Sequence, residues 1–391
     1  MRYILNSWCS GLGREVLINF IQREKSFRII PSSDVDSLLA SAILFKNLSQ
    51  HGYDVKVSFD LKRIIDEPRE PALLVNLKPV NPSTQAVLEP ARDSSVTGTV
   101  VSVLDEYFGV DKWDKILALV AGVYKALDTG RDGFKGVERN ILNNLLESGE
   151  ISSELGFRLW GHRRIGLSKS LTRTLTPFIP GYTGAGDRVE ELLRKISKGR
   201  PVEKLQATDF FTESGKQMLR DLVEALQNTV KAPQDYVKNA ILRIIGFEYS
   251  TSVDTRRIDL LELAGALMVY ASLEAENPLK ILGATLQSVA TQILAIYEEV
   301  VDELAAILAS SIPRYLFEGE PVDVEDYLER ADIIADVAGW YLPQVKTPAS
   351  IIRGDRVYTV ARELLRVGWD PRKVYESCDD KQLCVIQGGA V

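Results

Sequence analysis

The chain has 391 residues, 45% of them hydrophobic and 26% charged, with a net charge of −7. That length exceeds one ordinary core and predicts two or three domains. The acid excess argues against a protein whose main task is sequence-independent binding of nucleic acid. No apolar run reaches the roughly 18 to 20 residues that a membrane span needs, so a cytoplasmic protein is expected.

Residues 27–30, "FRII", predict a buried strand. A helix should follow from Asp36 to Gln50, because Leu38, Leu39, Ala42, Ile43 and Phe45 recur at helical spacing. "YDVKVSF" (53–59) and "PALLVNL" (71–77) predict strands, and helices should cover 94–108 and 113–127. This order implies a parallel sheet covered by helices. Ligands of such sheets sit beyond the carboxyl ends of the strands. Asp34 follows one strand and Asn76 ends another, so the two are expected at one edge.

The pattern from 136 to 230 predicts helices, broken by a loop at "TPFIPGYTGAGDR" (176–188). "ILRIIGFEY" (241–249) predicts a strand, and "LELAGALMVYASL" and "VATQILAIYEEVVDELAAIL" predict long helices. "ASIIRGDRVYTVAREL" predicts a hairpin turning at Gly354-Asp355, then a helix. "QLCVI" predicts the last strand. Cys9, Cys378 and Cys384 make no disulfide framework. "CDDKQLC" is compatible with a small closed loop, but two free thiols are expected. No CxxC or CxxH spacing exists, so no structural zinc site is expected.

Two charge biases stand out. Gly156 to Gly186 has no acid but contains Arg158, Arg163, Arg164, Lys169 and Arg173. Glu318 to Asp336 has eight acids against Arg330. Each reads as a solvated face, or as a nucleic-acid backbone patch and a docking surface respectively.

"PSSDVDSLLASAIL" (31–44) places Asp34 and Asp36 between the first strand and the first predicted helix. Carboxylates so placed can hold a divalent cation. Equally, Asp34 can cap the helix that follows. The stretch resembles the first motif of the DHH phosphoesterase superfamily, in its archaeal RecJ-like, GINS-associated branch. There a His-x-Asp-x-Asp-Gly pattern precedes an apolar helix. The likeness continues through "KGVERNILNNLLESGEI", "FRLWGHRRIGLSKSL", "TPFIPGYTG" and "IIGFEY", and ends in "TPASIIRGDRVYTVARELL", which is similar to the start of a DHHA1 core.

The resemblance implies an α/β fold: a DHH-like domain over 1–204, a helical middle or inserted region over 205–310, and a DHHA1-like α/β domain over 311–391. It also implies a degenerate site. Ser32 stands for the motif histidine, Ser37 for its glycine and Asn76 for a ligating Asp, and Tyr124 or Lys125 for another. The naming Asp-His-His is missing. The chain's two histidines are His51 and His162, and His51 lies at the far end of the first helix, about 22 Å from Asp36 at 1.5 Å per residue. A lysine in the pocket would pair with a carboxylate that has lost its metals.

A RecJ-like shell of this kind implies a non-catalytic replication factor at the fork. It would bind GINS and support the MCM helicase, with no cofactor or metal and at most weak single-stranded DNA contact. The acidic 318–336 segment and the 205–310 region are its expected partner surfaces. Arg158, Arg163, Arg164, Arg353 and Arg362 are the candidate DNA contacts. The alternative is a metal-dependent single-strand exonuclease or phosphodiesterase with a site rebuilt from Asp34, Asp36, Asn76 and Asp93. A further alternative is a DNA-binding module of a repair complex, against which the net charge counts.

Overall fold

A computed structural model describes residues 12–386, apart from 68, 92, 130–131, 198, 230–242, 254, 274–282, 286, 319, 324–330 and 340–345. After helix α1 (Leu12–Arg23), the order is β1 (Ser26–Pro31), α2 (Val35–Gln50), β2 (Asp54–Val57), β3 (Ala72–Val75) and β4 (Gln85–Leu88). These strands form one parallel sheet in the order β2-β1-β3-β4. β3 is buried along its whole length and β1 at four of its six residues, as strands covered on both faces must be. Helices α3 (Val96–Tyr107), α4 (Lys112–Tyr124) and α5 (Gly136–Glu147) follow. The expected strand–helix order and parallel sheet are present. β4 is an addition: its four residues carry too little pattern to read.

The segment after α5 departs from expectation. Ile151–Phe157 is a strand, β5, where helix was predicted. It pairs antiparallel with β6 (Ile245–Val253), which pairs with β7 (Arg256–Asp259). β5 buries only its ends, so its sequence shows no two-residue apolar alternation. Its register, Ile151 opposite Thr251 through Phe157 opposite Ile245, is set by a partner far along the chain. This sheet joins residues on both sides of position 204. A satellite core that includes Phe157, Leu171, Leu193, Phe210 and Leu222 packs beside it.

Helices α6 (Leu260–Leu273) and α7 (Ala290–Glu318) pack on each other, and α6 also packs against α4. The C-terminal unit contains β8 (Val322–Asp323), α8 (Asp332–Gly339), β9 (Ser350–Arg353), β10 (Arg356–Val360), α9 (Ala361–Arg366), α10 (Pro371–Ser377) and β11 (Leu383–Ile386). Its sheet runs β11-β10-β9-β8, with the predicted hairpin between β9 and β10. A shared apolar layer joins it to the first sheet: Ile30 and Leu74 on one side, Leu364 and Tyr375 on the other. Tyr375 donates its hydroxyl to Lys78 O at 2.7 Å, and Gln382 Nε2 donates to Pro31 O at 2.8 Å.

The cysteines correct another expectation. Cys378 and Cys384 form a disulfide rather than two free thiols. The cause is local: Asp379 Oδ1 accepts from Lys381 N at 2.9 Å and Leu383 N at 2.8 Å, turning the chain so that 378 and 384 face each other across an antiparallel bridge. Among the described residues, no helix is long and apolar enough to cross a membrane.

Candidate functional site

Asp34 and Asp36 lie at the carboxyl end of β1, as expected, but both are deep inside, at 6% and 0% exposure. Asp34 is the N-cap of α2. Its Oδ1 accepts from Ser37 N at 3.0 Å and its Oδ2 from Ser37 Oγ at 2.6 Å. Asn76 joins the same chain of bonds, donating from Nδ2 to Ser37 Oγ at 2.8 Å. It does so from a left-handed backbone, φ 55, which Asn tolerates better than most residues.

Asp36 binds the start of the next helix. Its Oδ2 accepts from Val96 N at 2.9 Å. Its Oδ1 accepts from Thr97 N at 2.8 Å and Thr97 Oγ1 at 2.7 Å. A carboxylate there meets the positive end of α3.

The second half of the cluster comes from the C-terminal unit. Arg362 is enclosed by acids of α8: its Nη1 donates to Asp336 Oδ1 at 2.6 Å, its Nε to Asp332 Oδ1 at 3.2 Å and its Nη2 to Asp332 O at 3.0 Å. Tyr124, at the end of α4, donates to the same Asp336 oxygen at 2.5 Å, and Ser33 Oγ donates to Asp332 at 2.7 Å. The cluster thus bridges the two sheets. Burial raises Asp34, but Lys125, Arg362 and the Ser37 bonds outweigh it and hold the carboxyl below its usual range. Asp36 goes the other way: burial and the Asp34 charge raise it against Lys125 and its own hydrogen bonds. Lys125, exposed at the end of α4, is the stronger cation on both aspartates, and Arg362 adds to it on Asp34.

Glu138 lies behind Asp36. Its Oε1 accepts from Ser95 N at 2.7 Å and Ser95 Oγ at 2.6 Å. Burial pushes its carboxyl up to about 7, against the Ser95 bonds, with Asp36 adding to the rise. Between its unfolded value of 4.5 and about 7, the folded chain holds this proton and the unfolded chain does not. Stability from this group is therefore full below pH 4.5 and is lost as pH rises through about 7. The loss is on the order of 3 kcal/mol. Urea unfolding at pH 5 and pH 8 should show Glu138→Gln losing less stability than the parent by that amount; equal losses would remove this assignment.

Two of the five candidate DNA contacts are enclosed in the molecule, whereas Arg163 and Arg164 are exposed. Arg158 is 3% exposed and pairs with Asp128 at 2.5 Å. Arg362 is enclosed as described. Both guanidiniums are committed to buried acids. Arg163 pairs with Glu154 at 2.5 Å and Glu248 at 2.6 Å; Arg164 pairs with Glu298 at 2.7 Å. The acid-free stretch 156–186 is thus neutralised by acids from β5, β6 and α7. Arg353 sits half-buried on β9, opposite Arg356. Of the acidic 318–336 segment, Asp332 and Asp336 turn inward to Arg362, so they are not docking surface; residues 324–330 lie outside the described residues. Asp93 is on an exposed turn rather than in the cluster.

No family model and no curated protein matches the sequence. Among solved structures, the chain matches the crystal structure of CDC45 from Entamoeba histolytica with a TM-score of 0.51 and 11% identity, covering 93% of this chain and 88% of that one. The chain has the fold of CDC45. Looser matches are exonuclease RecJ bound to manganese, at TM-score 0.39 and 12% identity over 89% of this chain and 81% of that one, and RecJ from Thermus thermophilus in complex with Mn2+, at 0.34 and 14% over 88% and 46%. On the CDC45 fold, the residues that sequence reasoning missed are Asp332, Asp336 and Glu138. Each stands far along the chain from Asp34, Glu138 inside "KGVERNILNNLLESGEI" and the two aspartates inside the acidic 318–336 segment, where nothing local pointed to the cluster.

Proposed function

We propose that this chain is a non-catalytic DNA replication factor: an archaeal RecJ-like pseudo-nuclease that binds GINS and supports the MCM helicase as a scaffold at the fork. The CDC45 fold supports the replication role. The observation that carries the non-catalytic reading is the state of the two aspartates. All four of their carboxylate oxygens accept hydrogen bonds from the protein, and the Lys125 and Arg362 charges favour the ionised Asp34.

A pair of divalent cations needs several carboxylate or imidazole donors around it. Among the described residues, Asp34 and Asp36 belong to no group of three His, Cys, Asp or Glu whose ligand atoms come together. Asn76 offers a neutral amide already donating to Ser37. The donor set does not fit two cations, and no hydrolytic step is derived from it.

The test is cleavage of single-stranded DNA in manganese. The parent and Asp34→Ala should be equally inactive. Manganese-dependent cleavage that disappears in Asp34→Ala would replace the scaffold with the exonuclease reading.

A further inference from the structure

A second polar cluster lies away from the aspartate pair, where the loop after β5 meets the β6–β7 hairpin. His162, Glu248 and Asp259 are all buried, and one ligand atom from each falls within 4.8 Å of the other two. His162 Nε2 stands 2.9 Å from Glu248 Oε2. That is a hydrogen-bond distance, and the two donors need part by only about 0.5 Å to sit around one tetrahedral cation with bonds of about 2.0–2.2 Å.

Three observations separate this cluster from an ordinary ion pair. Asp259 is 7% exposed and its Oδ1 has no hydrogen-bond partner. Glu262, 2% exposed in the first turn of α6, likewise leaves Oε2 without one. Native chains rarely leave buried carboxylate oxygens so. Glu248 and Asp259 also line a cavity of ≈ 10 Å³, about the room one water-sized occupant needs. Finally, the backbone is shaped around Glu248: a Cβ at Gly156 would stand 1.7 Å from its Oε1. Three buried carboxylates meet two guanidiniums here, Arg163 on Glu248 at 2.6 Å and Arg164 on Glu262 at 3.5 Å. Arg163 also lies 3.8 Å from Asp259, so two guanidiniums serve three buried carboxylates beside His162.

We propose that His162 Nε2 and carboxylate oxygens of Glu248 and Asp259 bind a divalent first-row metal of the zinc class. Imidazole nitrogen with two carboxylates suits zinc better than magnesium or calcium. The ion is structural: it ties the loop at 158–166 to the β6–β7 hairpin and the start of α6. No cysteine spacing signalled it, because its ligands are a histidine and two acids on three different elements.

The test is calorimetric titration of the chelator-treated full chain with zinc chloride, with the thermal midpoint measured alongside. One equivalent should bind and raise the midpoint. Losing a partner of a metal ligand costs 10–100-fold in affinity, so losing a direct ligand should cost ~100-fold or more. His162→Gln and Asp259→Asn should each show that loss, whereas Asp34→Asn should bind as the parent does. Asp259→Asn removes a buried charge, so it should fold without metal, as its circular dichroism will show. Absence of binding by the parent overturns the inference, as does undiminished binding by both variants. Binding lost in Asp34→Asn but kept in Asp259→Asn also overturns it, by placing the metal at the aspartate pair.

Discussion

Arg362→Met is expected to lower the free energy of unfolding by about 3–5 kcal/mol, the usual cost of removing one partner from a buried charge cluster. The Arg362 side chain is 15% exposed, and its partners Asp332 and Asp336 are 4% and 5% exposed. Without the guanidinium, these acids and Asp34 lose their buried cation, and Tyr124 and Ser33 supply only neutral donors. Arg362→Lys should recover a minor part. A single ammonium cannot span two carboxylates and a backbone carbonyl as the planar fork does. Urea unfolding with unchanged slope measures the effect. A loss under about 1 kcal/mol would mean that the cluster does not clasp the two sheets together.

Asp36→Ala should cost roughly 3–5 kcal/mol, again in stability. It leaves Val96 N and Thr97 N buried without their acceptor, each at ~1–3 kcal/mol and not fully additive, while Thr97 Oγ1 keeps the Asp36 backbone oxygen. Asp36→Asn should cost less, since one oxygen can still accept. The informative control is manganese. If Asp36 serves the fold, any shift of the urea midpoint by manganese should be the same in the parent and in Asp36→Asn. A stabilisation by manganese that only the parent shows would make Asp36 a ligand.

The first sheet was legible because its signals are local. β1, α2, β2 and β3 follow one another within the first 75 residues, and the apolar spacing of α2 is set by its own buried face. Capping by Asp34 was equally legible, since Ser37 lies within the same turn. The rest of the cluster was not. Asp332 and Arg362 come from the other end of the chain, and their acid-rich and basic surroundings read as solvent-facing charge. The same blindness turned Arg158 into a candidate DNA contact: its neutraliser, Asp128, lies outside the acid-free stretch. Charge runs along a sequence record which residues are adjacent in the chain, whereas burial is decided by what packs across it. β5 failed for a related reason, since a half-exposed edge strand is specified mainly by its partner.

The proposed scaffold role is tested most directly by purifying the untagged protein from its own cells and identifying by mass spectrometry what stays bound through high salt. The account predicts GINS components in fixed proportion to the chain. A chain that emerges alone, with bound manganese that Asp34→Asn no longer holds, would contradict it and return Asp34 and Asp36 to the role of a working metal site.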